Sequence, residues 1–402
     1  MRSLRDLSRI TTAFALSIAC VTTRQAHSLT MGASSSVDSS RTPAMRAVVR
    51  EKGGALVFRD DVASPPPPSK PDEVLVKIGA AGINPVDYKA PKLLMGPIAG
   101  LDFCGTIEAL GDGAEHGFKV GDRVFGTTRG SLAERALCRV GALSHAPRGL
   151  SVAQAAAMPT VYLTSLQGLT NYGKIAPGAR VLVLGASGGC GTAALQLARR
   201  LGASEIVAVC SGKNAAHCKT HGATRVVDYT KETISEVYAA ASDAEKFDVV
   251  YDCATNSGGG EDYYARSLPL LCEGDDGGRA HGQYVAINGA VGLWLRMMTI
   301  GQRANQHLFL TNANTEDLAR LAGFAAVRGG GGGGGGDGDE PGRSSAEAET
   351  NDNGRGEADC RPCQPVIDTT YPFTSQGVGE AFAKLKSRRA VGKLVIDMEP
   401  AA

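Results

Sequence analysis

The sequence predicts an α/β protein in which a β-rich domain precedes a domain built on a doubly wound parallel sheet. Short strand-like runs separated by Gly and Pro follow one another from Met45 onward. Beyond Ser151 strand-like and helical patterns alternate, which indicates parallel strands joined by crossover helices. Between Arg180 and Arg200 a buried strand leads through a glycine-rich turn into an amphipathic helix.

Composition restricts the classes of function. At 402 residues the chain has room for about two domains. A formal net charge of +1 argues against a nucleic-acid-binding surface, which needs a marked basic excess. The 10 cysteines are dispersed among small and apolar residues, which favours a reducing compartment. Cys360 and Cys363 have CxxC spacing, but no second pair accompanies them.

Residues 1–44 are predicted to be a targeting peptide outside the fold. Three arginines, Arg2, Arg5 and Arg9, precede an apolar run from Ala13 to Val21 that is too short to span a bilayer. Few acids and many hydroxyls are typical of a plastid or mitochondrial transit peptide. A secretory signal, alone or before a transit peptide, also fits, and a cytoplasmic location is the alternative.

The β-rich domain is assigned to residues 45–160. Strands are predicted over Arg46 to Arg50, Glu73 to Ile78 and Thr106 to Leu110. The parallel-sheet domain is assigned to residues 161–310. Helices are expected over Ala153 to Ala157 and Tyr162 to Tyr172, and strands around Val181 and over Ile206 to Val209, Val226 to Asp228, Val249 to Asp252 and Tyr284 to Asn288.

The segment 327–364 is predicted to be a disordered insertion. It contains the unbroken glycine run Gly329 to Gly336, and nothing apolar there offsets the entropy of ordering it. Residues 311–326 and 365–402 are expected to return to the β-rich domain, which we expect to be the catalytic one. They contribute one helix and one closing strand, Thr374 to Lys386 and Gly392 to Met398.

The glycine-rich turn predicts a dinucleotide site. Gly185 allows a tight turn, Gly188 allows a pyrophosphate to approach the backbone, and Gly191 allows the helix to pack closely on the strand. The helix N-terminus then offers free N–H groups to the anion. The cofactor-binding residues predicted here are Ser187, Gly188, Gly189, Cys190 and Gly191.

Five segments carry a resemblance to a known family. They are AGINPVDYK (Ala81 to Lys89), GLDFCG (Gly100 to Gly105), VGDRVFG (Val120 to Gly126), the GASGGCG turn, and VGKLVI (Val391 to Ile396). With them the chain resembles the medium-chain dehydrogenase/reductase superfamily, and within it the zinc-independent quinone oxidoreductase and alkenal reductase branch. The resemblance covers about Met45 to Met398 and implies a GroES-like β-rich domain followed by a Rossmann domain.

Relative to the zinc alcohol dehydrogenases of that superfamily, the ligand positions differ. Asn84 stands where those enzymes have a cysteine, Leu101 stands where they have a histidine, and the region Met158 to Thr160 offers neither thiolate nor imidazole. A catalytic zinc needs three protein ligands. We therefore expect no metal.

The loop after the second strand of the parallel sheet predicts NADPH. An acidic side chain there would accept hydrogen bonds from the ribose of NAD, whereas this chain has Ser211, Lys213 and Asn214. A hydroxyl and a cation suit a 2′-phosphate, and Tyr229 matches a tyrosine that the family places near that phosphate. Lys213 as an ordinary surface lysine is the competing interpretation.

The resemblance implies the remaining site residues. It places Asn84, Tyr88 and Lys89 at the cleft between the domains as the catalytic set. The alternative for Tyr88 is a packing residue at the rim of the cleft. We expect Asp87 to fix the local turn. Asn288 and Gly289 are assigned to the cofactor side, and Lys393 completes the cofactor-binding set.

The resulting hypothesis is an NADPH-dependent reductase of quinones or α,β-unsaturated carbonyls. Hydride transfer without a metal needs such electron-poor acceptors. The alternatives are a trans-2-enoyl thioester reductase and a non-catalytic NADPH-binding scaffold. The expected partners are a small-molecule substrate and further copies of the chain, as a dimer or tetramer through the edge of the Rossmann sheet, with no stable membrane span.

Overall fold

The computed structural model describes residues 43–90, 92–114, 116–254, 262–274, 280–288, 304–326 and 361–399. Residues 1–42 of the predicted targeting peptide lie outside this part of the chain. So do residues 327–360 of the predicted insertion, the predicted cofactor residue Gly289, and Cys360 of the CxxC pair.

The described chain alternates short strands and helices. The strands are β1 (Ala44–Arg50), β2 (Leu56–Ala63), β3 (Glu73–Ile83), β4 (Asp102–Leu110), β5 (Arg123–Thr127), β6 (Arg135–Arg139), β7 (Leu143–His145), β8 (Arg180–Leu184), β9 (Glu205–Cys210), β10 (Arg225–Asp228), β11 (Val249–Asp252), β12 (Gln283–Ala286), β13 (Gln306–Leu308), β14 (Ile367–Pro372) and β15 (Lys393–Asp397). The α-helices are α1 (Pro85–Lys89), α2 (Lys92–Met95), α3 (Val152–Ala156), α4 (Pro159–Gln167), α5 (Gly189–Arg200), α6 (Ala215–Thr220), α7 (Ile234–Val237), α8 (Tyr263–Ser267), α9 (Thr315–Ala325) and α10 (Ser375–Ser387).

Strands β1 and β2 form a separate antiparallel pair, and the rest of the β-rich domain is built on a 7-stranded sheet that combines strands from before and after the parallel-sheet domain. Its order is β14-β15-β3-β4-β5-β7, and β6 also pairs with β3. Strand β15 runs antiparallel to the end of β3, where Leu394 lies opposite Ile83. The C-terminal strands therefore complete the domain that the N-terminal strands begin, and they reach the segment that follows β3.

The second sheet has 6 strands in the order β10-β9-β8-β11-β12-β13, and every pair in it is parallel. Val181 and Val183 of β8 pack in one hydrophobic core, whereas Leu182 and Leu184 pack in another. Because alternate residues of a strand face opposite sides, both faces of this sheet are buried. The predicted doubly wound parallel sheet, and with it the fold class, is confirmed.

Several element boundaries differ from those predicted. Strand β3 continues past Ile78 to Ile83 because its last residues pair with β15, a partner far away in the sequence. The helix expected from Tyr162 begins at Pro159, a residue that suits the first turn, and its α-helical part ends at Gln167. A π-helical turn, Gly168–Tyr172, follows it.

The residues just after the predicted insertion belong to the folded part of the chain. The Cys363 side chain is fully buried, and its backbone N–H donates to the Phe324 carbonyl oxygen at 2.9 Å. Gln196 of α5 bonds both backbone polar groups of Gln364, at 2.6 Å and 3.0 Å. The residues around Cys363 are polar, yet its side chain is buried, so the predicted insertion extends too far and residues 361–364 belong to the folded part of the chain. In the part of the chain described, no helix has the length and apolar character that crossing a membrane requires.

Candidate active site

The glycine turn between β8 and α5 has the geometry of an anion site. Gly185 lies in the left-handed region at φ 72°, and the Gly188 N–H donates to its carbonyl oxygen at 3.2 Å. Gly188 is the N-cap residue of the 12-residue helix α5, and it has no side chain that could bond the first N–H groups of the helix. The first-turn N–H groups of that helix and its partial positive charge are therefore available to a phosphate.

Two glycines of the turn have different surroundings. A Cβ built on Gly191 would lie 2.4 Å from the Gly185 carbonyl oxygen and 2.6 Å from the Ala186 Cα. A Cβ built on Gly188 would meet, among the described atoms within 4 Å, only the Gly185 oxygen at 3.6 Å. Gly191 thus serves close packing of the helix on the turn, whereas Gly188 leaves open space on the ligand side. This arrangement fits a dinucleotide pyrophosphate.

The predicted cofactor residues meet at the carboxyl ends of neighbouring parallel strands. The loop after β9 contains Ser211, Lys213 and Asn214, and the Asn214 Nδ2 donates to the Ser187 Oγ of the glycine turn at 3.0 Å. Lys213 is exposed, and Tyr229, directly after β10, is 50% exposed. The carboxyl edge of such a sheet is where ligands bind in this architecture.

A further carboxylate, Asp228, lies in this region, and the sequence analysis did not assign it a role. It ends β10 and accepts hydrogen bonds from the Gly212 N–H at 2.8 Å and from the Thr230 hydroxyl at 2.7 Å. The Thr230 hydroxyl holds the pKa of the Asp228 carboxyl below its usual range. Asp228 therefore supports the loop that carries Lys213. Its position at the end of a predicted strand, next to Tyr229, is the signal that could have found it.

The segment that carries the predicted catalytic residues Asn84, Tyr88 and Lys89, which we call the catalytic segment, follows β3 and forms the short helix α1. Asp87 is fully buried, and its Oδ2 accepts a hydrogen bond from the Asn84 N–H at 2.7 Å. This bond fixes the turn into α1, the role that we expect for Asp87. The Asp87 Oδ1 has no hydrogen-bond partner among the described residues, and burial raises the pKa of this carboxyl to about 7.

Asn84 lies in a buried polar cluster with Asp102 and Lys393, which we call the ammonium cluster. The Asn84 Nδ2 donates to the Asp102 Oδ2 at 3.0 Å, and the Lys393 Nζ donates to the Asn84 Oδ1 at 2.7 Å. The Lys393 Nζ also donates to the Asp102 Oδ2 at 3.1 Å and to the Ile83 carbonyl oxygen at 3.0 Å. The other Asp102 oxygen accepts the Thr160 N–H at 3.0 Å.

The sequence predicted no role for Asp102, although Gly100 to Gly105 is one of the segments that resemble the family. The carboxylate stands at the first position of β4, and it is fully buried. A charged residue at the start of an apolar strand needs a partner in the fold, and this was the available signal.

Tyr88 and Lys89, the other members of the predicted catalytic set, reach the surface. The Lys89 Nζ lies 5.9 Å from the centroid of the Tyr88 ring, and the Lys386 Nζ of α10 lies 5.5 Å from the same centroid. Partial burial and then the neighbouring Arg388 lower the pKa of Lys89. Tyr88 and Lys89 are thus open to a ligand, whereas Asn84 is only 3% exposed.

The glycine turn and the ammonium cluster are joined through β15. The Gly392 N–H donates to the Ser187 carbonyl oxygen at 3.0 Å, and the next residue is Lys393. A Cβ built on Gly189 would lie 3.2 Å from the Lys393 Cδ, so helix and lysine stem are in close contact. Asn288 is exposed just beyond the end of β12, on the carboxyl edge of the same sheet.

Cys190, in the first turn of α5, is held as a thiol. Burial raises its pKa to about 12, even though a helix N-terminus favours the thiolate. The contribution that we expect from Cys190 to the predicted cofactor site is therefore its backbone N–H. Among the described residues there is no group of three or more His, Cys, Asp or Glu side chains arranged to hold a metal ion.

The buried Asp87 predicts a specific dependence of stability on pH. With a folded-state pKa of about 7 against an ordinary 3.8, the native protein holds this proton over a pH range in which the unfolded chain has lost it. The contribution of Asp87 therefore falls as pH rises from about 4 to about 7. The charges facing it are Asp102, which favours the proton, and Lys393 and Arg50, which oppose it.

Replacing Asp87 by asparagine should keep the acceptor for the Asn84 N–H and remove the buried charge. We expect Asp87→Asn to be more stable than the unmodified protein at pH 8 and to lose this advantage at pH 5. Urea unfolding of both proteins at pH 5 and pH 8 measures this difference in the free energy of unfolding. His217, whose pKa burial lowers to about 4, gives a slope of the opposite sign in both proteins and cancels in the difference. An equal difference at both pH values would contradict the assignment.

Comparison with known proteins supports the same fold and family. The model of the alcohol dehydrogenase GroES-like domain family matches residues 70–168, and that of the zinc-binding dehydrogenase family matches residues 189–264. The 2-methylene-furan-3-one reductase of Solanum lycopersicum is 30% identical over 352 residues, which cover 83% of this chain and 74% of that protein. The chloroplastic NADPH-dependent alkenal/one oxidoreductase of Arabidopsis thaliana is 27% identical over 378 residues, covering 89% and 81%.

A solved structure agrees with the fold. The quinone oxidoreductase from Coxiella burnetii superposes with a TM-score of 0.64 at 22% identity, covering 89% of this chain and 99% of that one. At that identity the likeness concerns the fold alone, an NAD(P)-binding Rossmann domain with a GroES-like partner. Sequence relatives, family models and fold together show that the chain is an oxidoreductase of the medium-chain dehydrogenase/reductase superfamily and belongs to its quinone oxidoreductase and alkenal reductase branch.

Proposed function

We propose that the protein is an NADPH-dependent, zinc-independent reductase that transfers hydride to quinones or α,β-unsaturated carbonyls. The observation that carries the proposal is the junction at Gly392, where the glycine turn meets the strand that holds the catalytic segment. A dinucleotide bound at the turn and a substrate beside α1 would share one cleft. Two relatives support the acceptor class, since their names describe a furanone reductase and an alkenal/one oxidoreductase.

The side chains at the cleft suit an acceptor whose oxygen gains charge. When bound, reduced nicotinamide supplies the hydride. Its addition to the β-carbon of an enone, or to a quinone, leaves negative charge on the carbonyl oxygen. The Lys89 ammonium and the Tyr88 hydroxyl can both donate hydrogen bonds to that oxygen, which stabilises the transition state as the charge develops. Because both side chains are partly exposed, substrate can reach them from solvent.

NADPH is proposed over NADH on the chemistry of the loop after β9. Lys213 supplies a cation, Ser211 and Asn214 supply hydrogen-bonding groups, and the exposed Tyr229 ring flanks the loop. The Asp228 carboxylate near this loop keeps its charge, because the Thr230 hydroxyl lowers its pKa, and that charge opposes a 2′-phosphate. Asp228 accepts hydrogen bonds from Gly212 and Thr230 and so holds the loop, and the proposed preference for NADPH requires that the Lys213 cation outweigh this charge.

Removing the Lys213 charge should reduce the preference for NADPH. We expect Lys213→Ala to weaken NADPH binding about tenfold, the loss of one charge-assisted contact of about 1.4 kcal/mol, and to leave NADH binding unchanged. Fluorescence titration with each dinucleotide measures the two Kd values. Lys219→Ala, which removes an exposed cation from the nearby helix α6, is the matched control. An unchanged NADPH preference in Lys213→Ala would refute the assignment.

Turnover with a panel of acceptors tests the reaction itself. Oxidation of NADPH is followed with a quinone, a short enone and an enoyl-CoA, and we expect the quinone or the enone to give the highest kcat/KM. Preference for the enoyl-CoA would favour the trans-2-enoyl thioester reductase, for which Lys89 and Lys386 would supply basic contacts. Dinucleotide binding without turnover of any acceptor would favour the non-catalytic scaffold.

We also propose an organellar location and a homo-oligomer. The Arabidopsis thaliana relative is named chloroplastic, and a fluorescent fusion carrying residues 1–44 tests import into a plastid or mitochondrion. Strand β13 is an edge of the Rossmann sheet, and Leu310 just beyond it is 51% exposed. Light scattering of the purified protein tests for a dimer or tetramer.

A further inference from the structure

The Lys393 ammonium is completely occupied by oxygens of the catalytic domain. An ammonium has three N–H donors, and Lys393 donates to the Ile83 carbonyl, the Asn84 amide oxygen and the Asp102 carboxylate, at 3.0, 2.7 and 3.1 Å. Its side chain is 6% exposed and that of Asp102 is fully buried. We predicted Lys393 as a cofactor-binding residue, but its geometry supports contacts with oxygens of the protein instead.

The site around this ammonium does not fit zinc. The family model is named for zinc-binding dehydrogenases, yet Asn84 and Leu101 stand where zinc enzymes have a cysteine and a histidine. In addition, the Lys393 Nζ lies 2.7 Å from the Asn84 Oδ1 and 3.1 Å from the Asp102 Oδ2, the oxygens that this cluster could offer to a metal. A metal ion bound to the same oxygens would lie beside the ammonium, and two neighbouring cations repel each other strongly in a buried site. The chain thus places a cation of its own beside the oxygens of Asn84 and Asp102.

The ammonium cluster also connects the two domains. Lys393 follows Gly392, whose N–H is bonded to the Ser187 carbonyl of the glycine turn. Asp102 accepts the Thr160 N–H in the first turn of α4, and α4 packs against α5. A displacement of the ammonium would therefore move the segment from Ile83 to α1 relative to the turn that receives the dinucleotide.

We propose that Lys393 is an internal cation that takes the structural place of the catalytic metal and that, paired with Asp102, it is a positioning residue for the catalytic segment. The inference rests on the proposed function only in that Tyr88 and Lys89 face the acceptor. Asn84 then helps to position this segment, because its amide oxygen accepts a hydrogen bond from Lys393 and its amide nitrogen donates one to Asp102. Lys393 affects the reaction through α1 and makes no contact with the dinucleotide.

Two variants test whether Lys393 and Asp102 depend on each other as a buried charge pair. Lys393→Met keeps the apolar stem and leaves the buried Asp102 without its cation, so we expect a lower urea midpoint. The double variant Lys393→Met with Asp102→Asn removes both charges at similar volume, and we expect it to recover most of that midpoint. This recovery is read without turnover, so it tests the pairing even if the proposed reaction is wrong. A double variant no more stable than Lys393→Met would overturn the pairing.

Kinetics of the double variant test what the pair does. We expect its Kd for NADPH to stay within threefold of the unmodified protein, because the N–H groups of the glycine turn are intact. We expect kcat with the best acceptor of the panel to fall at least tenfold, because α1 is no longer held in register with the turn. A Kd raised tenfold or more with kcat unchanged would mean that Lys393 contacts the cofactor, and it would overturn the proposal.

Chemical rescue tests the charge directly. In Lys393→Ala the truncated side chain leaves room beside Asp102 and Asn84, and added ethylammonium should raise both the urea midpoint and kcat. Propane, ethanol or another neutral molecule of similar size should not. Equal rescue by ethanol and ethylammonium, or rescue by neither, would overturn the role of Lys393 as an internal cation.

Discussion

We expect that replacing Gly188 by alanine will leave the fold intact and remove tight dinucleotide binding. The residue has φ −77° and ψ 175°, a conformation that alanine adopts without strain. Its Cβ would make one ordinary contact among the described atoms within 4 Å, with the Gly185 oxygen at 3.6 Å. The new methyl group would instead occupy the open side of the turn, where the pyrophosphate must approach the backbone.

We expect the Kd for NADPH to rise at least tenfold in Gly188→Ala, which corresponds to about 1.4 kcal/mol. The thermal midpoint without cofactor should change by less than about 2 °C, since glycine and alanine differ by only about 1 kcal/mol at such a cap. Calorimetric titration and thermal unfolding measure the two quantities. A variant that binds NADPH as tightly as the unmodified protein would show that the phosphate does not lie at this turn.

Replacing Gly191 by alanine has the opposite pattern, because it damages the fold first. Its Cβ would lie 2.4 Å from the Gly185 oxygen, and 2.6 and 2.7 Å from the Cα and carbonyl carbon of Ala186. All three atoms are backbone, held in place by β8 and the turn, so none of them can move away as a flexible side chain would. The helix must shift instead, which costs about 1–3 kcal/mol or more for overpacking.

Urea unfolding of Gly191→Ala should therefore show a clear loss of stability. The matched control is Gly379→Ala in α10, where nothing lies within 4 Å of the new Cβ among the described atoms. Alanine favours a helix over glycine by about 1 kcal/mol, so the control should gain stability. If both variants changed in the same direction, close packing at Gly191 would not be the reason for its glycine.

The parts of the fold that could be predicted from the sequence are those with a local signal. The strands of the parallel sheet are buried on both faces and appear as short apolar runs, as in Val249–Asp252. The glycine turn has its spacing and its strand and helix on either side. Asp87 lies three residues after Asn84, and its bond to that residue is a short-range feature of a helix start.

The parts that could not be predicted depend on residues that are remote in the chain. Lys393 and Asn84 are 309 positions apart, and no pattern near either one indicates the other. The role of Asp102 follows from its contact with Lys393, and that of Asp228 from its contact with the Gly212 N–H. The extension of β3 to Ile83 likewise depends on a strand that begins at Lys393. Such contacts arise from topology, which composition and periodicity do not encode.

The hydrogen bond between Cys363 and Phe324 has a consequence for how the gene could change. The described chain stops at Ala326 and resumes at Arg361, and this bond holds the two ends side by side. Each end is anchored independently, one in α9 and the other by Gln196 and the burial of Cys363. For a flexible connection, doubling the number of residues between fixed ends costs only about 0.6 kcal/mol. We therefore expect this junction to tolerate changes in the length and sequence of the segment that connects Ala326 and Arg361, while both sheets keep their connectivity.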